Sequence, residues 1–148
     1  MTEPEARDPS YLEHMLEAIE RIRRYVGRKR RVGFLGNSLL QDAVIRNIEV
    51  VGAAAGRVSP EFAARSPGIP WREIVGMRHR LIHGYLKVNL ETVWEVVERD
   101  LPALERGLRA LLGRSPPKPP TARRTARKRR VSGGSRRARD RVQGKRRS

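Results

Sequence analysis

From Tyr11 to Leu111 the apolar residues return at intervals of three and four, and strand signals are poor. That period belongs to helices that bury one face. Pro9 closes a polar opening, and Ser10 to Glu13 reads as a capping box. Behind it Tyr11, Leu12, Met15, Ile19, Ile22 and Val26 form an amphipathic stripe that ends near Gly27. Arg28-Lys29-Arg30-Arg31 reads as a solvated connection. A second helix is expected to begin between Gly33 and Ser38, with Leu40, Val44, Ile48, Val51 and Ala55 as its stripe. Ser59-Pro60 either ends it or starts a short helix through Phe62 and Ala63. Pro67-Gly68 is a turn, and Pro70 suits the first turn of a third helix, where a missing N–H costs nothing. That helix should run from Trp71 to about His83, with Gly84 as a left-handed stop. Asn89 caps a last, long helix, in which Leu90, Trp94, Val97, Leu101, Leu104, Leu108 and Leu111 make a seam that wants a neighbouring helix. Pro102 removes one donor from it, so a kink or break is expected there.

The expected fold is therefore all-α, a four- to five-helix bundle over residues 10–112. A flexible N-terminus, residues 1–9, precedes it. A disordered Pro/Arg-rich basic C-terminal tail, residues 113–148, follows, because nothing there can build a core. At 148 residues there is room for one domain and an appendage. The formal net charge of +17 is unevenly spread. Residues 113–148 hold 15 Lys+Arg and one acid, Asp140, and so carry +14. Residues 1–112 hold 18 basic and 15 acidic side chains and carry +3. The tail is thus either a phosphate-binding arm or a low-complexity extension without a role, while the body is nearly balanced.

There is no cysteine, which excludes disulfides, a thiol nucleophile and Cys-ligated zinc, and which fits a cytoplasmic location. The longest apolar-plus-Gly stretch, Val50 to Gly56, is far too short to span a bilayer, so no membrane partner is expected. The polar, acidic opening MTEPEARDPS does not read as a secretory signal.

Candidate chemistry concentrates in Met77-Arg78-His79-Arg80-Leu81-Ile82-His83-Gly84-Tyr85. The plainest reading is a helix with a polar face. A second reading is zinc, because His79 and His83 lie four apart on one face. Arg80, however, stands where a zinc protease helix carries its Glu, and no third ligand is evident, so no metal or other cofactor is expected. RNA cleavage needs less machinery. The neighbouring 2′-OH is the nucleophile, so the protein supplies a base, an acid and a cation for the phosphorane. Imidazole exchanges protons near neutral pH, and a guanidinium fork binds phosphate oxygens. On an ideal helix, positions 78 and 83 stand roughly 140° apart, so they do not share a face well. A site formed where two copies of the helix meet would combine them, and a two-fold dimer would supply two histidines. Trp71 and Trp94 read as core residues. Arg46 and Asn47 could support a site, but a solvated polar face is the simpler reading.

The spacing of Arg78, four residues, His83, one residue and Tyr85 resembles the signature of the HepT-like ribonuclease toxins of the HEPN superfamily. NSLLQDAVIRNIEVVG, Ile69-Pro70-Trp71 and GMRHRLIHGY extend the resemblance, which covers about Tyr11 to Leu112. His79 stands where that family commonly has a polar residue, often Asn, and is read as a supporting residue. The resemblance implies a homodimeric helical bundle of the HEPN type. It would cut RNA without metal, using Arg78 and His83 at a composite interface site. It also implies an MntA-type nucleotidyltransferase antitoxin that adenylylates Tyr85. The alternative is a non-catalytic HEPN module that binds such a partner, and RNA, without cutting. Two features depart from the family pattern. Gly52-Ala53-Ala54-Ala55 replaces the more usual Gly-Glu-Ala-Ala, and the basic tail is an addition.

Overall fold

The computed structural model describes residues 3–84 and 87–115. Tyr85 and the basic segment from residue 116 onward lie outside the described residues. Among the described residues there are helices and no strands. They are α1 (Glu3–Val26), α2 (Arg31–Leu35), α3 (Ser38–Ala55), α4 (Pro60–Arg65), α5 (Trp71–His83), α6 (Leu90–Glu95) and α7 (Leu101–Leu111). A π turn, Val96–Asp100, joins α6 to α7. The four long helical stretches are thus α1, α3, α5 and residues 90–111, with α2 and α4 as short connecting pieces. This is the all-α bundle that the periodicity predicts.

The apolar stripes meet where the sequence places them. Leu12, Met15, Ile19 and Ile22 of α1 are buried against Val44, Ile48 and Val51 of α3, the most extensive helix pair. Leu101, Leu104 and Leu108 close the core from α7. Each such side chain stabilises the fold by about 1.5–3 kcal/mol relative to exposure. Trp94 is buried and stacks on Phe34 with ring centroids 5.4 Å apart. Trp71 is half-buried, edge-on to Phe62, and its indole N–H donates to the Ser66 carbonyl at 3.1 Å. Both are structural, as expected.

The bundle starts earlier than the capping box suggests. Residues 3–9 are helical, Pro9 lies inside α1, and Ser10 caps nothing at a helix start. Asp8 is the reason. It is fully buried and accepts the Ser59 amide N–H at 2.8 Å and the Ser59 hydroxyl at 2.6 Å. Ser59 in turn caps α4, its hydroxyl oxygen accepting from the Phe62 N–H at 3.2 Å. Hydrogen bonds to a buried charged group contribute about 1.5–3 kcal/mol each. That offsets the intrahelical bond and the steric room lost at Pro9, about 3 kcal/mol.

The glycine stops divide. Gly27 (φ +53°) ends α1 in the left-handed region, its N–H bonding to the Arg23 carbonyl at 2.9 Å. Gly113 (φ +67°) ends α7 in the same way, with Arg114 N–H returning to the Arg109 carbonyl at 2.7 Å and Gly113 N–H to Ala110 at 3.1 Å. Gly84 differs from expectation. Its φ is −104°, and a side chain is excluded there because a Cβ would stand 2.6 Å from the Arg80 carbonyl oxygen. The interruption expected at Pro102 falls just before it, where the π turn Val96–Asp100 separates α6 from α7. Pro102 occupies the first turn of α7, and the wider π turn before it takes up the carbonyl that its ring would otherwise strike.

Candidate functional site

α5 carries the residues of interest, and its sequence explains its limits. Pro70 precedes it, Glu73 lies in its first turn, and Arg80 and His83 lie in its last, each on the side the helix dipole favours. Among its residues only Leu81 is fully buried, while Trp71, Ile74 and Met77 are half-buried against the core. The helix therefore lies on the bundle rather than in it. Val75 and Ile82 are 39% and 38% exposed, and with exposed His79 they form an outward stripe at steps of four and three.

Arg78 flanks that stripe on the side of α3, about 40° from Ile82 around the helix. It is half-buried and its stem lies on Gly52 of α3, with no side chain between. Among the described residues no carboxylate pairs with its guanidinium, whereas several other arginines do meet an acid. Arg23 and Arg109 share buried Glu105 at 2.7 and 3.3 Å, Arg65 meets Glu5 at 3.2 Å, and Arg31 pairs with Glu91. Among the described residues Arg78 is one of several arginines without a carboxylate partner, and it is half-buried on the Gly52 backbone.

His79 and His83 are both exposed, with ring centroids 4.3 Å apart and planes tilted by 54°. The structure thus brings these two together, as their spacing requires. Arg78 and His83 remain on one regular helix, and on different sides of it. Arg80 lies on the exposed flank and borders a separate cavity of about 550 Å³ between α3, α5 and the π turn. Ile48, Val51, Ile74, Met77, Leu101 and Leu104 supply most of its apolar wall, and neither Arg78 nor His83 lines it. This hollow and the polar cluster are therefore different places, and the chemistry argues for the cluster. Among the described residues no three His, Asp or Glu side chains gather as a metal-ligand set.

Of the two polar residues read as a solvated face, Arg46 fits that reading and Asn47 does not. Asn47 does not lie on a solvated face. It is buried, its amide donates to the Ala43 carbonyl at 2.8 Å, and its oxygen accepts from the Arg21 Nε–H at 2.8 Å. Arg46 is exposed, beside Glu49 at 3.6 Å. Gly52 was the residue that sequence reasoning missed. Glycine inside a helix costs about 0.8–1.0 kcal/mol relative to alanine, and that cost is the signal that something packs closely there.

Comparison with known proteins gives a consistent result. The family model described as ribonuclease HepT-like matches residues 15–111. "Probable ribonuclease HepT" of Thermococcus cleftensis is 39% identical over 95 residues, 64% of this chain and 86% of that protein. A Caldanaerobacter subterraneus protein named "Putative RNase" is 34% identical over 102 residues, 69% of this chain and 91% of its own length. A Methanocaldococcus jannaschii protein, named as a "Gamma-glutamylcyclotransferase and putative RNase", is 44% identical over 95 residues. That match covers 64% of this chain but only 43% of the relative. No solved structure matches.

Proposed function

Since the chain belongs to the HepT-like ribonuclease family, we propose that it is a metal-independent RNA endonuclease and the toxin of a toxin–antitoxin pair. The observation that carries this reading is an arginine without a carboxylate partner among the described residues and an exposed histidine pair, on one helix that carries the family signature. In the reaction, an imidazole of His83 takes the proton of the 2′-OH. The 2′-oxygen bonds to phosphorus, the bond from phosphorus to the 5′-oxygen breaks, and an imidazole returns a proton to that oxygen. The products are a 2′,3′-cyclic phosphate and a 5′-OH. Arg78 stabilises the phosphorane oxygens through its planar fork. His79 supports His83 by ring contact.

Arg78 turned toward α3 and His83 turned outward favour a composite site, in which a second copy supplies what one helix cannot. The outward stripe of Val75, His79 and Ile82 is a surface on which such a copy could rest. Adenylylation of Tyr85 by an MntA-type nucleotidyltransferase antitoxin is the proposed control.

The test is cleavage of total RNA by purified full-length protein and two variants. Arg78→Ala and His83→Ala should each lower the rate by about 10²-fold or more, the scale of a lost acid–base or electrostatic group, with helical circular dichroism unchanged. A wild-type protein that binds RNA without cutting it would favour the non-catalytic module. A fully active His83→Ala would move the chemistry elsewhere.

A further inference from the structure

A Cβ built on Gly52 would stand 2.3 Å from the Cβ of Arg78, 3.1 Å from its Cγ and 3.2 Å from its Cδ. The first of these distances matters most. A Cβ position is fixed by the backbone, so no rotamer change at residue 52 or 78 can relieve the clash. The stem of Arg78 therefore lies along bare α3 backbone, and any side chain at position 52 must push α5 outward. The neighbouring glycine is different. At Gly56, one turn further along α3, a Cβ would meet Val75 Cγ2 of α5 at 3.8 Å and its own helix no closer than 3.5 Å, which is ordinary contact.

We infer that Gly52 is the positioning residue for Arg78: its missing side chain sets how closely α5 approaches α3 at that point, and hence where the guanidinium stands. This rests on the proposed function, in which that guanidinium meets the phosphorane. A cation held on a seat without slack is pre-organised for its target, and misplacement by about 1 Å can cost on the order of 10²-fold in rate. Gly52 touches no substrate. It acts through Arg78 alone, and substitution there should fall on the chemical step rather than on RNA binding.

The experiment uses the full-length chain in the wild type, Gly52→Ala, Gly56→Ala, Arg78→Ala, Arg78→Gly and Gly52→Ala/Arg78→Gly. Cleavage is measured at a temperature where circular dichroism reports each assayed protein fully helical. Gly52→Ala should lose at least about tenfold in kcat with KM within about threefold, the pattern of an interaction made in the transition state. Gly56→Ala, the same change at the C-terminal cap of that helix against the same neighbour, should stay within about twofold of wild type in both. Thermal unfolding supplies an arm independent of activity. The fall in Tm caused by Gly52→Ala should largely vanish in the Arg78→Gly background, where the blocking atoms are gone. If Gly52→Ala does not fold, recovery of the helical signal in the double variant makes the same point. Wild-type kcat in Gly52→Ala, or a Tm loss or folding failure undiminished by Arg78→Gly, would overturn the inference. Full activity in Arg78→Ala would instead remove the proposed function, and the unfolding arm would still report on the seat.

Discussion

A tyrosine hydroxyl two residues beyond His83 is well placed in the chain to silence a phosphate-binding site. AMP on Tyr85 would add a phosphodiester charge and a bulky base where an RNA phosphate must dock. The charge repels the incoming backbone and competes for Arg78. Tyr85→Phe is therefore expected to cut RNA and to resist ATP-dependent silencing by the partner. Intact mass after co-expression should show AMP on the wild type and none on the variant; AMP on Tyr85→Phe would contradict this control. At this scale the sequence was legible where chemistry is local. Arg78, His79, His83 and Tyr85 fall within eight residues and announce themselves by type. Gly52, Asp8 and Asn47 did not, because each is explained by a partner far along the chain. Asp8 meets Ser59 across 51 residues, and Asn47 meets Arg21 across 26. Nothing in a polar opening such as MTEPEARDPS distinguishes a buried Asp from a solvated one.

α5 carries the proposed site, and it is one of the less buried long helices. Pro70 and Gly84 bounded its span, Trp71–His83, and the roughly 140° between positions 78 and 83 followed from helical geometry. Periodicity could not tell that one side of the helix would be seated on a glycine and the other left open. If Arg from one chain works with His from the other, mixing inactive Arg78→Ala with inactive His83→Ala should restore activity. Random pairing makes half the dimers mixed, with one intact site of two in each, so recovery should approach about a quarter of wild type. No recovery in a sample shown by ultracentrifugation to contain mixed dimers would mean that Arg and His act from one chain. The helix end was legible at Gly27, where a left-handed residue is required. The start was misread at Ser10, where a buried carboxylate decides, whereas Gly84 does end α5 but at φ −104° rather than in the left-handed region.

For the whole molecule, charge divides the work. The body carries a formal +3 and the segment 113–148 carries +14, so long-range attraction for a polyanion resides in that segment. Truncation after Ser115 keeps the Gly113 stop and the ion pair between Arg114 and Glu13, and should leave a folded body. RNA affinity at low salt should fall. Each lost phosphate contact lowers the salt slope by about 0.7, so losing four contacts would lower it by about 3. An unchanged slope would mean that the segment serves another partner. The central claim is that the RNA supplies its own nucleophile, with Arg78 and His83 assisting. It is tested most directly by one RNA oligonucleotide containing a mapped cut site, and its twin with a single 2′-deoxyribose at that position, each incubated with wild-type protein in excess EDTA. The ribose substrate should be cut to a 2′,3′-cyclic phosphate and a 5′-OH while the deoxyribose twin stays whole. Cleavage of the twin, or an activity that EDTA abolishes and magnesium or zinc restores, would contradict it.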